Sequence, residues 1–320
     1  MNIAVADGRY VVAVSGGVDS VVLLDLLVKQ SKNSQFTIHN SRVDPNVQLT
    51  VAHFDHGIRP DSAKDRQFVQ KLAKAYGLPF VYDRAELGAG ASEAVARKAR
   101  YQFLAKVKKA VGADAIVTAH HEDDVLETII INWLRGTKSR GLSSLRSTTE
   151  LQRPLLGMTK KQIRAYAHLH SLEWREDSTN ADETYLRNYI RKHVVGKLDA
   201  AARAQLLEHS AKAAELNDAI GRLVDGCLRR HTTSTEIDRL SYRELPKAVA
   251  REVLAEWLRR NTTAGVSTKL ILRLDGALRA GRNGAQVDIA HGQSLAISAH
   301  TAVLPGRACP PRQVNRNKSA

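Results

Sequence analysis

Only two cysteines, Cys227 and Cys309, occur in this 320-residue chain. They stand far apart, with no CxxC pair and no His/Cys cluster, which argues against a zinc ribbon, an iron–sulfur site or a secreted disulfide scaffold and favours a reducing, cytoplasmic setting. Aromatic residues are scarce as well, at 5% of the chain. With so few rings, Trp133 and Tyr185 are weak candidates for stacking on bases, and arginine is the better reader of any nucleic acid. Nowhere does an apolar run approach the roughly 20 residues that span a bilayer. The first residues pass from Asp7-Gly8 directly into the strand-like Tyr10–Val14, so the chain reads as soluble and untargeted. The familiar nucleotide signatures GxxxxGK[ST] and GxGxxG are missing too.

What the chain has is positive charge: 48 Lys+Arg against 33 Asp+Glu, a formal net charge of +15. Such an excess draws polyanions, nucleic acid or anionic lipid. It is spread along the whole length, so charge alone does not choose between them. The length allows two domains and a core that needs no disulfides.

From residue 10 to about 120, short β-branched runs alternate with helical patterns, as in a parallel sheet flanked by helices. Tyr10–Val14, Thr50–Phe54, Pro79–Tyr82 and Ala115–Thr118 are the expected strands. Ser20–Lys29, Ser62–Tyr76 and Ser92–Ala110 are the expected crossover helices, with Ser92 as an N-cap and Gly77 as a C-terminal stop. A further helix is expected over Asp123–Trp133, ending at Gly136, and then a loop through Thr149. Near 196–204 the character changes: helices are expected over Asp199–Asn217, Pro246–Arg260 and Thr268–Ala280, then strand-like Gln286–Leu304. The expected fold is thus α/β, a Rossmann-like parallel sheet over 1–198, with a second, mostly helical α+β domain over 199–305 and a loose basic tail over 306–320.

Ser15-Gly16-Gly17-Val18-Asp19-Ser20 lies between a buried-strand pattern and a helix pattern. There a glycine-rich turn can aim backbone N–H groups and a helix N-terminus at phosphate. The glycines let the chain approach an anion, Ser15 and Ser20 offer hydroxyls, and Asp19 can hold Mg²⁺ or orient a departing pyrophosphate. The bland alternative is a tight turn with an Asp/Ser cap.

SGGVDS resembles the signature of the PP-loop ATP pyrophosphatases. The segments Val51-Ala52-His53-Phe54-Asp55-His56-Gly57-Ile58-Arg59, Glu93-Ala94-Val95-Ala96-Arg97 with Arg100-Tyr101, and Thr118-Ala119-His120-His121-Glu122-Asp123-Asp124 with Glu127-Thr128 are similar, in the same order, to the tRNA(Ile)-lysidine synthetase family. The resemblance continues through Arg135-Gly136, Gly141-Leu142, Arg153-Pro154-Leu155-Leu156, Asp177-Ser178-Thr179-Asn180, Arg187-Asn188 and Arg191. It covers about the first 195 residues and weakens beyond them. Lys138 stands where that family usually has glycine, and Ser178-Thr179 replaces a commoner Pro-Ser.

The resemblance implies a ligase that uses ATP and Mg²⁺ to adenylate the wobble cytidine of a CAU-anticodon tRNA(Ile). The ε-amine of L-lysine then attacks C2 and expels AMP. It implies catalytic roles for Asp19, Arg97 and Asp124, and nucleotide contacts from Ser15, Gly16, Gly17, Val18, Asp19, Ser20 and His53, with Asp19 at the metal. Substrate contacts fall to Asp55, His56, Arg100, His120, Glu127, Arg135, Arg187, Asn188 and Arg191. Arg97 is the foremost choice to meet charge on the α-phosphoryl group, with Arg100 behind it; a solvated helix face is the plain alternative for both. Asp124 and Glu127, three apart, share one helix face that suits a cationic lysine. The lysine amine, with an ordinary pKa of about 10.4, needs a carboxylate or histidine to take its proton, and Asp55, His56, Asp124 and Glu127 all stay open for that role. His53 stands evenly between a structural and a functional role. Arg135, Lys138, Arg140 and Arg146, with Arg187, Arg191 and Lys192, would position the tRNA; a homodimer is left open. The rival within the superfamily is a tRNA thiolase, disfavoured because neither cysteine lies in the motif-bearing segment. A non-catalytic RNA-binding protein is disfavoured by the presence of Asp19, Arg97 and Asp124 together.

Overall fold

The computed structural model describes residues 3, 5–33, 47–57, 62–85, 88, 93–137, 139–176, 186–262, 265–290 and 292–304. The expected cap Ser92, the residues Arg59, Lys138, Asp177–Asn180 and Tyr185, and the tail 306–320 lie outside them. The chain forms two compact units, Met1–Ala214 and Glu215–Ala320.

In the first unit, β1 (Gly8–Ala13) leads into α1 (Val18–Asn33), β2 (Val47–Asp55) into α2 (Ser62–Ala75), and β3 (Phe80–Arg84) into α3 (Glu93–Ala110). β4 (Ala115–Val117) then leads into α4 (Glu122–Leu134). It is followed by α5 (Ser139–Leu142), β5 (Leu151–Gln152), α6 (Lys160–Leu169) and α7 (Leu186–His193). The strands pair in parallel in the order β3-β2-β1-β4-β5. Val12 sits between Val51 and Val117 in register, and all three are fully buried.

Both faces of the sheet are covered, which is why its strands read as unbroken apolar runs. Leu23, Leu24 and Leu27 of α1, Val69 and Ala73 of α2, and Ile163 and Ala167 of α6 fill one side. Phe103, Leu104 and Val107 of α3 fill the other, against Val11, Ala52 and Ile116. Successive strands run outward from β1 to β3, and the chain then returns to place β4 on the far side of β1. That reversal opens a crevice at the carboxyl ends of β1 and β4, the position where open α/β sheets take ligands.

The four expected strands and the helices between them are present within a few residues. Gly77 closes α2 with φ +69°, its N–H on the Lys74 carbonyl and that of Leu78 on Ala73. β5 and α6 were not expected; α7 falls on the helical pattern expected around Arg187, Arg191 and Lys192, whereas the short α5 stands inside the stretch expected as a loop through Thr149. β5 has only two residues, and α6 starts from a capping box in which Thr159 and Gln162 bond each other's backbone N–H.

α8 (Ala200–His231) begins in the first unit and ends in the second, outrunning the helix expected over Asp199–Asn217. Within the second unit, β6 (Glu236–Asp238) precedes α9 (Arg239–Glu244), α10 (Lys247–Asn261) and α11 (Thr268–Ala280). β7 (Gln286–Ala290), β8 (Gln293–Ile297) and β9 (Thr301–Val303) complete an antiparallel sheet in the order β6-β9-β8-β7. Trp257, Leu254, Leu258, Leu274, Leu295 and Ile297 form its core. The buried guanidinium of Arg239 donates to the carbonyls of Leu278, Ser298 and Gly281.

One polar cluster ties three helices of the first unit together. Buried Asp25 of α1 accepts hydrogen bonds from the hydroxyls of Tyr76, just past α2, and Tyr166 of α6, at 2.9 and 2.7 Å, and pairs with Lys29 at 2.9 Å. Burial alone would raise the Asp25 carboxyl, but those donors hold it below its ordinary range. Asp25→Asn would turn an amide donor toward hydroxyl donors. The expected loss is about 1–3 kcal/mol of unfolding free energy in urea titrations, the cost of an unsatisfied buried group.

Candidate functional site

The crevice is built first by the turn after β1. Val14 extends the sheet by donating to Ala52 at 2.9 Å, and the chain then folds back through Gly16, whose φ of +94° only glycine adopts freely. A Cβ there would also lie 3.4 Å from Val69 and 3.5 Å from Phe68 of α2. The buried Ser20 hydroxyl sits inside the turn: it accepts from the N–H groups of Ser15 and Gly16, each at 3.2 Å, and donates to the Gly17 carbonyl at 2.9 Å. Ser20 therefore shapes the loop from within. From α6's far side, the Arg175 N–H donates to the Gly16 carbonyl at 3.0 Å, and its guanidinium pairs with Asp65 of α2.

Asp19, in the first turn of α1, faces two partners across the crevice. Lys160, the first residue of α6, places its ammonium 2.6 Å from both carboxylate oxygens. His121 Nε2 lies 3.8 Å away and is 3.6 Å from Asp124. His121 precedes α4, and its N–H donates to the Asp124 carboxylate at 3.0 Å. Burial works to raise Asp124, but His121, His120 and Arg191 bring it below its ordinary range.

Behind Asp124, Glu127 is completely buried and shared by two guanidiniums of α7, Arg187 at 2.9 Å and Arg191 on both oxygens. Arg191 also reaches Asp124 at 3.4 Å. Arg203 of α8 pairs with Glu122 and Asp123, so arginines from two later helices hold the acidic first turns of α4.

The opposite wall is the end of β2. His53 is buried with Nδ1 2.9 Å from the Val14 carbonyl, and Asp55 accepts from the Gly57 N–H at 2.8 Å. His56 is pushed down to about 4, by burial first and then by Arg100, and its buried Nδ1 has no hydrogen-bond partner. His120, bonded to Thr118 at 2.9 Å, is pushed down to about 3, again by burial first. Arg153, Arg97 and Arg100 add to the shift against the opposing pull of Asp124. Both rings are neutral near pH 7.

Of the expected residues, Ser15, Gly17, Val18, Asp19, Ser20, His53, Asp55, His56, Arg100, His120, Asp124 and Arg191 line one cavity of about 1060 Å³. Gly16 lies in the turn itself. Arg97 is off this lining, laid over the Tyr101 ring at 4.9 Å, so Arg100 is the arginine of α3 that faces the space. Glu127 and Arg187 are bound to each other behind the wall, Asn188 lies half-buried on α7, and Arg135 caps the exposed far end of α4.

Asp65, Lys160, Arg164, Trp174 and Arg175 join the lining without having been expected. The Thr159–Gln162 capping box was a visible signal that a helix begins at Lys160. Nothing local tells which carboxylate that lysine meets.

Among the described residues no group of three or more His, Cys, Asp or Glu can hold a metal ion. The donors present suit a hard cation that brings phosphate oxygens and water with it and needs only one or two carboxylates, and Asp19 is the carboxylate beside the turn.

A family profile described as a PP-loop domain matches residues 2–198. The chain is 37% identical over 241 residues to a tRNA(Ile)-lysidine synthase of Geobacter sulfurreducens, a match covering 71% of this chain and 49% of that protein. It is 32% identical over 303 residues to the tRNA(Ile)-lysidine synthase of Thermosynechococcus vestitus, covering 90% and 84%. The chain thus spans about half the length of the first relative and most of the second. Among solved structures, the U34-tRNA thiolase NcsA of Methanococcus maripaludis with its [4Fe-4S] cluster superposes with a TM-score of 0.53 at 15% identity, over 66% of this chain and 73% of that one, a likeness of fold.

The two depressed histidines predict a pH dependence of stability. An unfolded histidine takes its proton near pH 6.5, whereas His56 resists protonation to about 4 and His120 to about 3. Between those values the unfolded chain binds more protons, so stability is full above about pH 6.5 and drains as the pH falls through that window. Urea titrations at pH 7, 5.5 and 4.5 are expected to show this slope, and His56→Gln with His120→Gln to flatten it.

Proposed function

The chain belongs to the PP-loop family and, within it, to the tRNA(Ile)-lysidine synthases, and from that premise we propose that it converts the wobble cytidine of a CAU-anticodon tRNA(Ile) to lysidine. The change switches codon reading from AUG to AUA. The observation that carries this reading is the meeting of Asp19, from the SGGVDS turn, with His121 and Asp124 across the switch-point crevice. Phosphate chemistry and amine chemistry then share one space.

Cytosine's 2-carbonyl oxygen is a poor leaving group. In the first step it bonds to the α-phosphorus of ATP and the bond to pyrophosphate breaks, leaving C2 attached to AMP, a far better leaving group. The SGGVDS amides and the N-terminus of α1 receive the pyrophosphate. Arg100, on the wall facing that loop, meets the charge that gathers on the α-phosphoryl oxygens. Asp19 would hold Mg²⁺, which supplies charge neutralisation to the phosphates when bound.

In the second step the lysine ε-nitrogen bonds to C2 as the C2–O bond to AMP breaks, and the amine gives up a proton. Asp124 offers the carboxylate that draws the ammonium in. Glu127, already neutralised by Arg187 and Arg191, serves to hold α7 against α4. Asp55 and Asp124, carboxylates on the same cavity, are left to take the proton, while His56, which burial keeps unprotonated down to about pH 4, lines the space as a neutral ring. The exposed Arg135 and Arg146, beyond α4, present charge to tRNA phosphates.

Incubation with ATP, Mg²⁺, labelled lysine and CAU-anticodon tRNA(Ile) is expected to label the tRNA and to release AMP and pyrophosphate. ADP as the product, or unlabelled tRNA, would refute the reading. Asp19→Asn is expected to slow pyrophosphate release by at least about 100-fold, the scale of losing a charge stabiliser at a phosphoryl centre, while tRNA affinity in gel-shift titrations stays within about twofold.

A further inference from the structure

A phosphate loop of the GxxxxGK[ST] type carries its own lysine, which reaches the β- and γ-phosphates. The SGGVDS turn has none, and it carries instead a carboxylate, Asp19, that repels phosphate. In the folded chain a lysine arrives from 141 residues away: the Lys160 ammonium lies 2.6 Å from each Asp19 oxygen. Resting on the ATP-pyrophosphatase reading above, we propose that Lys160 is the phosphate-binding lysine that the loop lacks. Without nucleotide it neutralises Asp19. When a pyrophosphate-bearing ligand enters, the ammonium moves to its β- and γ-oxygens and Asp19 is released to a magnesium ion.

Three observations carry this. First, Lys160 is placed firmly but tethered loosely. Its helix is pinned to α1 by buried Ile163 and Ala167 and by the Tyr166–Asp25 bond, while the ammonium sits on a flexible four-carbon stem. Second, its ion pair is easily exchanged, because 33% of the Lys160 side chain and 27% of the Asp19 side chain are open to solvent. Among the described residues, three neighbouring guanidiniums have carboxylate partners of their own: Arg175 with Asp65, Arg191 with Glu127 and Asp124, Arg164 with Glu176. Third, the lysine breaks a local rule. The first turn of α6 has no acidic residue and opens with Lys160-Lys161, where the helix dipole disfavours positive charge. A local conflict of this kind is expected where function overrides helix stability.

The test is calorimetric, on the full chain, with inorganic pyrophosphate and with AMP as separate probes. In Mg²⁺, Lys160→Met is expected to weaken pyrophosphate binding by about tenfold or more, the weight of a charge-assisted hydrogen bond, with AMP binding changed less than about twofold. Lys160→Arg keeps most of the pyrophosphate affinity. In EDTA, Asp19→Asn frees the lysine, so metal-free pyrophosphate binds more tightly than to the unaltered chain. Adding Lys160→Met removes that gain; this arm decides the matter alone should Lys160→Met by itself unfold. Equal pyrophosphate affinity with and without Lys160, or a parallel loss of AMP binding, overturns the assignment. Absence of pyrophosphate binding by the unaltered chain overturns the ATP-pyrophosphatase reading beneath it.

Discussion

The negative charge of Asp19 is the constraint around which the first unit is arranged. A carboxylate beside a phosphate-binding turn is unfavourable unless a cation or polar group meets it, and here the partners come from separate helices: the Lys160 ammonium from α6 and, at 3.8 Å, the His121 ring from the entry to α4. Each helix is held by apolar burial elsewhere, α6 through Ile163 and Ala167 and α4 through Leu126 and Ile129. The hydrophobic core thus does the electrostatic positioning. Hydrophobic burial is non-directional, but close packing allows one arrangement, and that arrangement brings the polar ends together.

The acidic start of α4 repeats the theme with arginine. Taking Glu127 fully out of water carries a large desolvation cost, offset only by the geometry of two guanidiniums and the Thr128 hydroxyl, which accepts from Arg187 at 3.2 Å. Such a cluster gives specificity of arrangement more than net stability. It sets α7 against α4, leaves Arg191 one face toward the cleft, and holds Asp124 ionised at the wall. Arg203 does likewise for Glu122 and Asp123 from the first turns of α8.

The legible part of the site was the part carried by contiguous residues. The SGGVDS turn, the His53–His56 strand end and the His120–Asp124 junction lie at carboxyl ends of neighbouring parallel strands, and their separation in sequence follows from the strand–helix–strand repeat. The Arg97–Arg100 order was less legible. Residues three apart on a helix point in nearly the same direction; both guanidiniums lie over the Tyr101 ring, at 4.9 and 5.7 Å, yet only Arg100 lines the space. Glu127 was legible only in part: its spacing from Asp124 is real and the helical pattern at Arg187 and Arg191 was readable, but that the two meet across about sixty residues was not.

By itself the amino-acid order determined the parallel sheet, its crossover helices, the phosphate turn and the family, because each is written in short-range patterns of apolar spacing, glycine placement and adjacent polar residues. Tertiary structure alone decided that Lys160 faces Asp19, that Ser20 supports its turn from inside, and that Arg187 and Arg191 close over Glu127. Those contacts join residues whose separation along the chain has no preferred value. Long-range pairing of charges is set by how packed helices happen to aim their ends, and no local rule of sequence encodes that aim.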